Sequence, residues 1–252
     1  MRNLVKKVLF CISTILIFIV LGWMANTITQ HIISDIRIEN FKNKGVYQEE
    51  LSSSSVKFYK IETGEELGYT NINGKIYPGA KADVLVAKKS NIGIPFVEEF
   101  ITFFAGGHSS LAIDYYKDYN INAKLSDSIE ATGLEGGENL SRIADRYYWT
   151  YQSTYDEVIV VRGNNMDEKM KDEVISNCFS LLGDPYNYSF TFDIVNKSYC
   201  SDLISKSFKS VGIDFNKNGY WTTIYDLLVS SDCHISYYHC YKDNIKYIYY
   251  VG

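Results

Sequence analysis

From Tyr199 to Phe215 the chain reads YCSDLISKSFKSVGIDF. Cys200, Leu203, Ile204, Phe208 and Val211 recur at steps of three and four, the period of a helix with one buried stripe. The spacing predicts a helix from about Tyr199 to Val211, ended by Gly212. Cys200 then stands in the first turn, where free backbone N–H groups and the helix dipole favour a thiolate and can hold a developing oxyanion. Cys178 differs. It lies mid-way along a helix expected from about Met166 to Leu182, capped by Asn165 and stopped by Gly183 and Pro185. On that helix's apolar face its reading is a buried core thiol.

A nucleophilic thiol needs a base, and His108 is the suited candidate. It follows Gly106 and Gly107 and opens a strand, SSLAI, ending at Ile113. His31 borders an apolar N-terminal segment, and His234 and His239 sit in a tail read as a β-hairpin. Glu130, in SIEATG on the next expected strand, is the candidate for orienting the imidazole, with Asp114 and Asp127 as rivals.

The remaining pattern mixes strands and helices without βαβ alternation, which predicts an α+β fold. VKFYKIE, ADVLVAK and EVIVVR read as strands, with turns at Gly68, Asn71, Asn73 and Gly74. IPFVEEFITFF (94–104) reads as a short helix starting at Pro95, apolar almost all round, and so buried or resting on something greasy. A short helix follows Thr223, and the tail closes as a hairpin around Asp243 and Asn244.

No charged residue occurs between Val8 and Gln30. The run VLFCISTILIFIVLGWMA is about the length a bilayer core requires. Ala25 offers a cleavage position, but Trp23 stands where a small residue is wanted, so the segment reads as an uncleaved anchor. Arg2, Lys6 and Lys7 precede it, which leaves the N-terminus in the cytoplasm and the rest of a single-pass cell-membrane protein extracytoplasmic. The expected units are an anchor (1–30), a juxtamembrane helix and linker (31–54, with Ser52–Ser55 as the hinge) and a globular domain (55–252).

A net charge of −5 with no basic cluster argues against nucleic acid as a partner. Twenty-two tyrosines suit strands and aromatic surfaces. The five cysteines show no metal-ligand spacing and no disulfide framework; Cys233 and Cys240 read either as a cross-strand pair or as two free thiols. No cofactor or metal is expected.

GHSSLAID, IEATG, a strand ending in VVR, LGDPYNYSF and YCSDLISKSFKSVGIDF, in that order, resemble one family: the YiiX-like, circularly permuted branch of the NlpC-type papain-like cysteine hydrolases. In this branch the histidine strand precedes the cysteine helix. The likeness covers roughly residues 75–230, and IYPGAKADVLVA resembles the segment leading into the family's first barrel strand. It implies a permuted papain-like fold, a small β-barrel or sheet packed on helices, here preceded by one transmembrane helix. It implies Cys200 as nucleophile, His108 as base, Glu130 as the orienting group and Tyr199 as a hydroxyl lining the site. Asp202 stands where the family usually has glutamate, and the loop GLEGGENL predicts an altered substrate mouth. The implied activity is amide hydrolysis, with cell-wall peptide as the first substrate and a lipid amide or ester as the alternative. Rival readings are an acyltransferase using the same thiol and a non-catalytic binding module for peptide or lipid.

Overall fold

A computed structural model of the chain describes residues 2–64, 78–89, 96–113, 127–133, 139–150, 152–190, 196–217 and 221–252. The turns expected at Gly68–Gly74, the helix start at Pro95, and Asp114 lie outside these residues.

Helix α1 (Arg2–Lys42) is a single uninterrupted element. At 1.5 Å per residue it is about 60 Å long, twice a bilayer core. Its first half exposes apolar side chains such as Phe10, Leu16 and Phe18, and it is long and apolar enough to cross a membrane. Its second half buries Thr27, Gln30, Ser34, Ile38 and Phe41, which share one face by their steps of three and four. The sequence reading placed a boundary at residue 30 and a separate helix beyond it. The structure has no break there, because neither glycine nor proline interrupts Trp23–Lys44. The Ser52–Ser55 run is also not a free linker. The Ser52 hydroxyl donates to Gln48 O (2.6 Å) and accepts from Phe58 N (3.0 Å), and Ser53 N donates to Val56 O (2.8 Å), which makes a tight turn.

Polar bonds fix α1 to the globular part. Gln30 donates to Asp226. Arg37 donates to Leu228 O and Ser230 O, both 2.7 Å away, and to Cys233 O. The first two carbonyls lie at the end of helix α5 (Ile224–Val229), so the guanidinium caps that helix from a neighbouring element. We expect Arg37→Ala to lower the unfolding free energy by about 2–3 kcal/mol, because three part-buried carbonyls lose a charged donor. Thermal unfolding of the detergent-solubilised full chain checks this; an unchanged midpoint would show that α1 docks by apolar contact alone.

Among the described residues nine strands form one sheet: β1 (Val46–Tyr47), β2 (Val56–Ile61), β3 (Val84–Ala87), β4 (His108–Ala112), β5 (Asp127–Ala131), β6 (Ser141–Asp145), β7 (Glu157–Gly163), β8 (Cys233–Lys242) and β9 (Ile245–Val251). The spatial order is β1-β2-β9-β8-β7-β3-β4-β5-β6. All neighbours are antiparallel except β2 and β9. The β8–β9 hairpin turns on Asp243 and Asn244, both with positive φ, as a two-residue loop requires.

Strand β3 is buried on both faces, which is why it reads as a continuous apolar run. Val84 and Val86 face the core shared with helices α3 (Glu168–Ser180), α4 (Cys200–Lys209) and α5, where Cys178, Leu203, Ile204 and Phe208 pack. Leu85 and Ala87 face a second core with Ala112, Trp149, Val160 and Tyr237. Helix α2 (Val97–Phe104) lies between β3 and β4 in sequence. The expected cap Asn165 is instead a positive-φ turn residue, and the Asp167 side chain caps α3 by accepting from Met170 N at 2.8 Å. Cys233 and Cys240 both lie on β8, seven residues apart along one extended strand, so they cannot pair with each other. Both are free thiols.

Candidate active site

Tyr199 is extended (φ −101°, ψ 172°) and the helix starts at the next residue, so Cys200 is the first residue of α4. Its backbone stands among the unpaired N–H groups of a helix N-terminus. Helix α4 packs on β4, which begins with His108. The two glycines before His108 are required by packing. A Cβ at Gly107 would lie 2.1 Å from the Lys89 carbonyl oxygen, and one at Gly106, whose φ is +84°, would lie 1.9 Å from Ile224. They admit neighbouring chain segments at close range, which sets where β4 begins.

The sheet register supplies the rest. Ser110 of β4 faces Glu130 of β5, and Glu130 faces Arg142 of β6. His108, two residues from Ser110, is therefore on the same face as Glu130 and within reach along the diagonal. His108 Nε2 donates to Glu130 Oε2 at 2.9 Å. Arg142 Nε and Nη2 donate to the other oxygen, Oε1, at 3.1 and 3.0 Å. With Nε2 committed to the carboxylate, Nδ1 is the nitrogen left for the Cys200 thiol, to which His108 is hydrogen-bonded. The imidazole lies nearly parallel to Trp149 (12°, centroids 5.7 Å apart) and Tyr155 (21°, 6.5 Å), which hold its plane.

The electrostatics follow from these contacts. Burial by itself raises the Cys200 pKa, but the hydrogen bond and charge of His108, with the Ser109 N–H and hydroxyl, outweigh it and hold the thiol below its ordinary value. Burial by itself lowers the His108 pKa; Tyr155, the Cys200 thiolate and Glu130 outweigh it and hold the imidazolium well above 6.5. Burial opposes ionisation of Glu130, and His108 and Arg142 restore it, leaving the carboxylate's pKa lowered. These contacts favour the thiolate and the imidazolium together, with an ionised carboxylate behind them. Elsewhere burial pushes Cys178 and Cys233 up to about 12, so neither is nucleophilic at neutral pH.

Of the residues expected from sequence, the structure brings Cys200, His108 and Glu130 into one chain of contacts. Tyr199 is adjacent, but its ring packs on Phe190 (5.4 Å) and its hydroxyl is engaged by the Thr222 backbone. Asp202 pairs with Lys206 one turn along α4 at 2.8 Å. Asp127 opens β5 opposite Asp145, remote from the His108 end of β4. Most of the GLEGGENL loop, residues 134–138, lies outside the described residues.

Three further residues were not expected. Arg142 sits on a strand that the sequence pattern did not reveal. Ser109 was hidden by being next to the obvious histidine: its buried hydroxyl lies near enough to the Cys200 sulfur to favour the thiolate. Tyr186 approaches Cys200 closely enough for the two charges to repel, and burial raises its own pKa. Its ring occupies space kept open by Gly133, where a Cβ would lie 2.9 Å away. With Tyr188 (4.9 Å) and Phe190 (5.9 Å) it makes an aromatic wall. Among the described residues no group of three or more His, Cys, Asp or Glu side chains is arranged to hold a metal ion.

No curated protein matches the sequence. A crystal structure described as metalloprotein YiiX from Escherichia coli O157:H7 is similar at 12% identity and a TM-score of 0.44, over 62% of this chain and 95% of that one. The profile of the permuted papain-like amidase enzyme, YaeF/YiiX, C92 family matches residues 107–232, a stretch that opens at the glycine before His108 and contains Glu130 and the whole of α4. With the histidine strand ahead of the cysteine helix, and half of its length within that match, the chain belongs to the permuted papain-like amidase family.

Proposed function

We propose that this protein is a membrane-anchored, extracytoplasmic cysteine amidase working through Cys200, His108 and Glu130. The unbroken line of contacts from the Cys200 thiol through His108 to Glu130 and Arg142 carries this reading. The Cys200 thiolate adds to the carbonyl carbon of an amide, and the N–H groups at the start of α4 receive the oxyanion. His108 gives its Nδ1 proton to the leaving amine as the C–N bond breaks, which leaves a thioester on Cys200. It then takes a proton from water, whose oxygen attacks the thioester and releases the acid and the thiolate. Glu130 keeps Nε2 protonated throughout, and Arg142 keeps Glu130 ionised and in place.

The basic residues before the span support the outward orientation, which puts cell-wall peptides within reach as the first substrate class. A second reading, a lipid amide or ester, is favoured by the exposed Phe96, which precedes α2, and Phe100 on it, ahead of His108 in the chain. Incubating the full chain with purified wall peptides and, separately, with N-acyl amide lipids tests the two. Release of a new amine by wild type but not by a nucleophile variant identifies the substrate, and no release from either class would overturn the amidase reading. Adding a free primary amine separates hydrolysis from acyl transfer by the product formed.

The Arg142 contact makes its own prediction. Arg142→Met is expected to slow Cys200 alkylation at pH 6 by up to about tenfold, the effect of one pKa unit lost by the thiol when Glu130 no longer holds His108. An unchanged rate would reduce the Arg142–Glu130 pair to a surface ion pair.

A further inference from the structure

We propose that helix α2 is a second membrane contact: Phe96 and Phe100 embed in the outer leaflet beside Trp23 of α1, and this sets the Cys200–His108 site at the lipid–water boundary. The inference rests on the anchored-domain reading above.

The sequence of α2 separates two arcs. On a helical projection Phe100, Phe103 and Phe104 share one side, while Glu98, Glu99 and Thr102 share the other, and Phe96 stands just before the first turn. Phe96 is 84% exposed and Phe100 59%, a large aromatic surface for a water-facing helix. Its neighbour is the apolar span itself. Phe104 stacks on Trp23 of α1 at 4.1 Å, and Trp221 meets the same indole edge-on at 4.6 Å. Counting from Lys7, about 20 helical residues cross a ~30 Å core, so the outer boundary falls near Thr27. Trp23 then lies within about one turn, or ~6 Å, of that boundary, the depth where tryptophan concentrates. A helix stacked on it is at the same depth, and lipid continues over its exposed phenylalanines from the adjoining face of α1.

The placement is rigid. His31 Nε2 of α1 donates to Phe103 O (2.8 Å), and the Tyr225 hydroxyl of α5 donates to Thr102 O (3.2 Å). Both reacting residues are tied to the aromatic cluster. His108 is four residues beyond Phe104, at most about 14 Å of chain. Ser201, next to Cys200, donates to Thr222 O at 2.8 Å, beside Trp221. A substrate reaching the thiol from the bilayer surface needs its scissile carbonyl at headgroup level, as an amphiphile presents it.

Site-directed spin labelling of the full chain, reconstituted in vesicles of phosphatidylcholine and phosphatidylglycerol at 3:1, tests the inference. In a Cys11→Ser, Cys200→Ala, Cys240→Ser background, labels are placed by Phe100→Cys, by Leu16→Cys in the span and by Phe179→Cys on α3. Collision with oxygen is compared with collision with a water-soluble nickel chelate. Labels at 100 and 16 are expected to favour oxygen several-fold, and the label at 179 to favour nickel. If position 100 behaves like 179 while 16 remains in lipid, α2 sits in water and the inference fails alone. If position 16 favours nickel, the anchor fails and the inference falls with it. Alkylation of Cys200 in otherwise wild-type protein in the same vesicles reports on the catalytic reading independently of either result.

Discussion

Cys200→Ala is expected to leave a folded, membrane-bound protein whose turnover of an amide substrate is reduced by roughly 10^4-fold or more. On the proposed mechanism the reaction forms a thioester on that sulfur, and the other buried thiols among the described residues are poor replacements. Cys178 and Cys233 are buried, with pKa values near 12, so that only roughly one molecule in 10^5 carries either as thiolate at pH 7. Folding should be spared. The substitution removes one sulfur at the start of α4, leaves the stripe of Leu203, Ile204 and Phe208 intact, and removes a buried charge pair whose burial is itself costly. Comparing turnover with the thermal midpoint checks both halves. Turnover within tenfold of wild type would overturn the nucleophile assignment, and loss of folding together with turnover would make Cys200 a core residue.

Removing the base has its signature in a different measurement. In wild type, alkylation of Cys200 by iodoacetamide should be rapid at pH 6, because His108 lowers the thiol's pKa. In His108→Ala the imidazolium is gone and burial, the largest single influence, is opposed only by Ser109, so the thiol's pKa rises to the free value of about 8.5 or above. At pH 6 a thiol of that pKa is about 0.3% ionised, so the alkylation rate should fall by about tenfold or more, the effect of each pKa unit lost. The reactive pair forms as pH rises through the lowered thiol pKa and is lost as pH rises through the raised imidazolium pKa, so wild-type turnover should be bell-shaped. His108→Ala should lose the alkaline fall, which titrates the imidazolium, and keep a single rise moved to higher pH. Identical alkylation profiles would dissolve the pair and move the site to the binding-module reading.

Much of this site could be read in the sequence. A cysteine opening an amphipathic helix has its electrostatic environment fixed locally, because the free N–H groups come from its own backbone. A histidine after two glycines and a glutamate on the next strand are short-range patterns too. Even the tail hairpin announced itself through Asp243 and Asn244, whose positive φ is a property of the turn alone.

What escaped depends on register and on contacts between distant segments. Arg142 matters because β6 pairs with β5 at one particular offset, and a slip of one residue would turn its guanidinium to the other face. Ser109 and Tyr186 reach the thiol only once α4 has docked on β4 and the 182–190 segment has folded back beside it. The continuity of α1 was misjudged because its apolar pattern changes at residue 30, from all-round exposure in one environment to a single buried face in another. The periodicity reports the surroundings, whereas continuity depends on the absence of a helix breaker.

The sequence by itself therefore determined the α+β class, the order of histidine before cysteine and the apolar N-terminal helix. Each follows from interactions among near neighbours in the chain: period, caps and turn chemistry. Only the tertiary structure decided which nitrogen of His108 faces the thiol, what holds Glu130 ionised, and that α2 lies against Trp23. These depend on side chains 12 to 92 residues apart, whose meeting is fixed by strand pairing and packing, quantities that no local stretch of sequence contains.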